Sequence, residues 1–151
     1  MPDYGSWEEL CDAAQKKCHD VLKRDVAPVA KEIVKKHIQS DIYDVYTPTP
    51  HGWVNGTTYQ RRHVLNSSVY CEFVNDDEIM VTSRATASKS VVPGYSFHNR
   101  RPGSFLKLLE TGRMGIWRNG FPRPAVGNAQ KEIDHSSAIR NAIQSGLDRY
   151  F

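Results

Sequence analysis

From Trp7 to Ile38 the apolar residues Trp7, Leu10, Ala14, Cys18, Val21, Leu22, Val29, Ile33 and Ile38 recur mainly at steps of three, four and seven. That spacing places them on one stripe of a long amphipathic helix. Lys16, Lys17, Lys23, Lys31, Lys35 and Lys36 fall on its other faces. A stripe of this kind cannot bury itself, so the rest of the chain must supply a second layer to cover it. Ser6 and Glu9 have capping-box spacing and mark the helix start. Pro28 removes the amide that would bond the Arg24 carbonyl, which predicts a kink or break inside the stripe.

The periodicity then changes. Ile42, Tyr43, Val45 and Tyr46 end in Thr47-Pro48-Thr49-Pro50, which cannot continue a helix. Val69, Cys71 and Phe73 alternate with polar neighbours, Asn75 to Glu78 form a polar turn, and Ile79, Val81 and Ser83 resume the alternation. This is the pattern of a β-hairpin, expected to pack on the helical stripe. Phe105, Leu106, Leu108 and Leu109 behind Ser104 make a short helix that Gly112 can stop. Pro122-Arg123-Pro124 precedes another helical set, Ala125, Val126, Ala129 and Ile133, and Ser137 is placed to cap a last helix carrying Ile139, Ala142, Ile143, Leu147 and Tyr150. The expected class is α+β: a long N-terminal helix packed on a small antiparallel β-sheet, with C-terminal helices and long loops. One domain over 1–151 is expected, helical at 6–46, an extended arm or loop at 47–67, the hairpin at 68–87, a loop at 88–103 and helices at 104–151.

With 39% hydrophobic and 25% charged residues the chain has the composition of a globular domain able to bury a core. Its apolar runs, such as Val91-Val92, are far shorter than the roughly 20 residues of a membrane span. No membrane partner is therefore expected, and the charged start around Glu8 and Glu9 does not read as an export signal. Cys11, Cys18 and Cys71 form no CxxC pair, so reduced thiols made in a cytoplasm are expected, with Cys11 and Cys18 as small buried hydrophobes on one helix face.

Charge is unevenly spread. Between Arg84 and Arg123 there are eight basic residues and one acid, Glu110, whereas residues 1–83 are net acidic. Such a region suits nucleic acid or an acidic protein surface. No P-loop, GxGxxG, GxSxG or HExxH is present, which removes the readily recognised nucleotide, hydrolase and zincin classes. His51, His63 and Glu72 make a conceivable metal set, but scattered histidines are more often surface residues, and neither a metal nor a cofactor is expected. His98 beside Arg100 and Arg101 suggests a metal-dependent nuclease as an alternative reading; such an enzyme needs liganding acids nearby, and the region has only Glu110. Aromatic residues interleaved with arginines suit base stacking and protein interfaces alike. Trp53, Tyr59, Tyr95, Phe97, Arg100, Arg101, Arg113, Trp117 and Arg118 are accordingly the candidate partner-binding residues.

The order of these elements carries a resemblance. A long amphipathic helix, Tyr59 to Ser68 containing Leu65 and Ser67, a hairpin, Phe105 to Gly112 containing Glu110, and Arg123-Pro124-Ala125 before the last helices together resemble the tail-component or neck proteins of long-tailed bacteriophages. These are similar in role to the tail-completion protein of lambda. The likeness spans residues 6–150, with Arg61-Arg62-His63-Val64 where the family has a Thr-Gly, and Ala125 where it has an aromatic. It implies a non-enzymatic virion part, located in the neck or tail region, that forms a homo-oligomeric ring. Its implied neighbours are a head-closure or adaptor protein and a tail terminator or tail tube protein, with DNA passing through the channel.

Overall fold

A computed structural model describes residues 5–45, 63–85, 105–110 and 122–150. Helix α1 spans Trp7–Val21 and starts at Ser6, whose Oγ accepts the Glu9 N–H at 3.2 Å. The Glu9 carboxylate closes the cap one residue further out than a standard capping box, accepting from the Gly5 N–H at 2.9 Å.

The backbone does not break at Pro28. It widens into a π turn over Leu22–Val26, where the Ala27 N–H reaches back to the Leu22 carbonyl, and continues as α2 over Ala27–His37. The missing proline donor falls where the ladder returns from five-residue to four-residue spacing, so the helix passes it with right-handed dihedrals throughout. A second π turn, Ile38–Tyr43, ends this helical run.

The π turns also explain why the buried stripe differs from the one read in the sequence. The first inserts a residue ahead of α2, which rotates the face that follows by roughly 100°. Val21, Val26, Ala30, Ile33, Val34, Ile38 and Ile42 form the core face, while Val29 is only partly buried. At the other end Trp7 is 76% exposed, and Cys11 and Cys18 are exposed rather than buried. Among the described residues the contacts of α1 with the hairpin tip and the C-terminal segment lie toward its C-terminal half, at Gln15, Lys17, His19 and Val21.

A single helical turn, α3 over Val64–Ser67, forms where the sequence reading placed the end of a loop. It begins at His63, in the left-handed region with φ 48° and its ring against Tyr43, and drives Leu65 fully into the core. Strands β1 (Val69–Asn75) and β2 (Glu78–Ser83) then pair antiparallel with Val69 opposite Ser83, Cys71 opposite Val81 and Phe73 opposite Ile79. The inner face is the one the alternation predicts. It packs on α2, while the tip reaches α1, where Phe73 stacks on the His19 ring at 4.2 Å and the Asp76 carbonyl meets His19 Nδ1 at 3.2 Å.

Helices α4 (Phe105–Glu110), α5 (Ala125–His135) and α6 (Ser137–Leu147) complete the described residues. Helix α5 lies along α2, and α6 lies across the end of α1 and the first π turn. The cap of α6 is Ser136 and not Ser137: Ser136 is extended and its Oγ accepts the Ile139 N–H at 3.4 Å. Gly146 lets α6 approach closely, since a Cβ there would stand 2.5 Å from Val21 Cγ1. Beside this crossing Arg149 pairs with Asp25, which raises the guanidinium pKa further. The described residues are mostly helical with a small two-stranded antiparallel sheet, an α+β fold. No helix of the described residues is long and apolar enough to cross a membrane.

Candidate functional site

The nine candidate partner-binding residues, Trp53, Tyr59, Tyr95, Phe97, Arg100, Arg101, Arg113, Trp117 and Arg118, all lie outside the described residues, as do His51 and His98. The structure describes other residues of the basic region. Arg84 leaves β2 with its guanidinium carbon 4.0 Å from the Tyr70 ring centroid, a cation–π contact. Arg123 donates from a guanidinium nitrogen to the Ile42 carbonyl at 3.3 Å, near the C-terminal end of the long helical run. Its own N–H donates to the Leu109 carbonyl at 3.1 Å.

Glu110, the single acid of the basic region, caps α5. Its two carboxylate oxygens accept the N–H groups of Val126 and Gly127, each at 3.0 Å. Those amides have no partner within the helix, and a negative charge at a helix N-terminus is favoured by the aligned peptide dipoles. Of the residues that carried the phage resemblance, Leu65 is core, Glu110 caps α5 and Arg123 ties the long helix to α4 and α5, Ser67 is exposed, and Gly112 lies outside the described residues.

The densest polar cluster among the described residues joins α2, the second π turn and α5. His37 Nε2 lies 2.8 Å from Glu132 Oε2, and His37 Nδ1 lies 3.1 Å from Asp41 Oδ2. Lys36 Nζ donates to both Glu132 oxygens at 2.9 Å, Asn128 Nδ2 donates to Asp41 Oδ2 at 2.9 Å, and Ser40 Oγ donates to Asp41 Oδ1 at 2.7 Å. The geometry comes from two helical i,i+4 pairs, His37/Asp41 and Asn128/Glu132, meeting in antiparallel order. Burial alone would raise the Asp41 carboxyl, but hydrogen bonds from Asn128, Ser40 and His37 outweigh it and hold the group below its ordinary range. Glu132 is held low chiefly by the hydrogen bond from Lys36, then by that from His37.

Both His37 ring nitrogens are thus engaged by carboxylates, leaving neither open to abstract a substrate proton. The i,i+4 spacings were visible in the sequence; that the two pairs meet was not. Among the described residues no group of three histidine, cysteine, aspartate or glutamate side chains is arranged to hold a metal ion. His63 and Glu72 of the conceivable metal set have other contacts: the His63 ring meets Tyr43, and Glu72 accepts from the Tyr70 hydroxyl at 3.3 Å. Cys71 is half-buried, its Sγ donating to the Ala27 carbonyl at 3.5 Å, and burial pushes its thiol pKa up.

No curated protein and no solved structure matches the chain. The family model YomN matches residues 6–149, nearly the whole chain and every described helix and strand. The protein belongs to the YomN family, a family of phage-associated proteins of the SPbeta prophage type.

Proposed function

We propose that this phage-associated protein is a structural part of a tailed-phage virion, a neck or tail-completion subunit whose copies form a ring joining the head connector to the tail. The family match over residues 6–149 carries the phage association. The step from there to the neck rests on the order of elements and on Leu65, Glu110 and Arg123, which stand at framework positions of the kind a shared fold would retain. In this reading the protein has no catalytic role. The rigid body is the long helix with its hairpin, and Trp53, Tyr59, Tyr95, Phe97, Trp117 and the arginines nearby meet neighbouring copies, a head-closure or adaptor protein, and a tail terminator or tail tube protein. DNA in the channel is a further contact for the basic residues.

The nuclease alternative ranks second. It needs an acid in the basic region to hold a metal, and Glu110 is committed to capping α5. Imaging of purified particles carrying an epitope-tagged copy tests the proposal, with label expected at the head–tail junction. Disruption of the gene should yield separate filled heads and tails. Joined, infectious particles from the disrupted strain, or label confined to another part of the virion, would overturn it.

A further inference from the structure

We infer that the His37 cluster is a pH-gated latch on α5, closed when the imidazole carries two protons and loosened when it carries one. The inference is independent of the virion reading. Helix α5 buries Ala125 and Ala129 against the body, each 1% exposed, and packs Ile133 partly buried beside them. Alanine methyl groups contribute little burial energy, so polar ties add materially to this small apolar contact. Those ties are Glu110 at the N-terminus of α5, Asn128 to Asp41, and Glu132 to Lys36 and His37. His37 touches the carboxylates of the last two.

The ring nitrogens face Glu132 Oε2 at 2.8 Å and Asp41 Oδ2 at 3.1 Å, and the His37 side chain is only 16% exposed. A carboxylate only accepts, so both contacts are hydrogen bonds only when each nitrogen bears a proton. A neutral imidazole has one N–H, and its other nitrogen then turns a lone pair toward a carboxylate. Among the described residues the charged groups at the cluster are Asp41 on the same helical run, Glu132 on α5, and Lys36 beside it. Lys36 and Asn128 keep their bonds when the ring loses its proton, so the latch loosens rather than falls apart. Histidine changes charge in the range where this gate would operate.

Hydrogen exchange of the full-length protein, corrected for intrinsic exchange rates, tests the latch between about pH 6 and about pH 8. The protection of α5 amides should fall about tenfold or more relative to the hairpin, the size of effect set by loss of one charge-assisted hydrogen bond. The midpoint should coincide with the His37 ring titration followed by NMR. In His37→Gln the pH dependence should vanish, while Lys36→Met should lower protection at both pH values and keep the dependence. Protection of α5 that does not change with pH, a midpoint that follows His19, His63 or His135 instead, or an undiminished pH dependence in His37→Gln would each overturn the inference. Should His37→Gln not fold, the wild-type midpoint comparison decides by itself.

Discussion

Individual residues do here what their types rarely advertise. Glu110 stands alone among basic neighbours, yet its role is to cap a helix sixteen residues later in the chain. Glu110→Ala should lower stability by about 0.5–2 kcal/mol, the range for loss of a helix cap, and chemical denaturation followed by circular dichroism will measure it. Gly146 needs no special backbone angle; it is required for clearance. Gly146→Ala should destabilise by about 1–3 kcal/mol, because Val21 is itself buried and must be displaced, and a midpoint shift in the same denaturation curves checks this. The cysteines should separate by reactivity. Cys11 and Cys18, exposed on α1, should react with a disulfide reagent at once in the folded protein. Cys71, half-buried with its thiol pKa raised by burial, should react more slowly, so a two-phase time course of released chromophore is expected.

At the scale of elements, helix ends and crossings are held by side chains from distant segments. The antiparallel pairing of α5 with α2 illustrates the cost of relying on polar ties, since those ties depend on solution conditions. Asp41 and Glu132 both have folded-state pKa values below their unfolded ones. Their contribution to stability is therefore full above the unfolded carboxylate range, about pH 4, and is lost as pH falls through the lower folded values. Acid unfolding of the wild type should accordingly be steeper below about pH 4 than that of Asp41→Asn or Glu132→Gln, each less stable at neutral pH; fluorescence-monitored titration tests this.

For the whole molecule, the proposed docking role places Arg100 and Arg101 against acidic neighbours in the assembled particle. Single exposed ion pairs contribute only about 0–1 kcal/mol, so one reversal is expected to be silent. The double change Arg100→Glu with Arg101→Glu should impair head-to-tail joining in a complementation assay without lowering the thermal midpoint of the isolated protein. Joining at wild-type efficiency by the doubly reversed protein, with self-association intact, would remove these two residues from the docking surface. Steep, salt-sensitive binding of the unmodified protein to free duplex DNA would instead favour DNA as their contact.

The sequence by itself determined the class and order of elements. Helical spacing from Trp7 onward, alternation in the two arms of the hairpin, and a proline-marked entry into α5 are local signals, and local geometry reads them directly. It also carried the inward face of the hairpin, because a period of two puts Cys71, Phe73, Ile79 and Val81 on one side, whereas the register shift between Phe73 and Asn75 came only with the fold. Only the tertiary structure decided which part of the helical stripe is covered. Among the described residues α1 is met through its C-terminal half, and the first π turn rotates the face that follows it; Trp7, Cys11 and Cys18 are exposed, while Val26 and Ala30 are buried. It decided, too, that Glu110 meets α5 and that His37 meets Glu132. Those contacts join residues many positions apart, and a chain's local periodicities hold no information about which distant pairs its folding brings within hydrogen-bond reach.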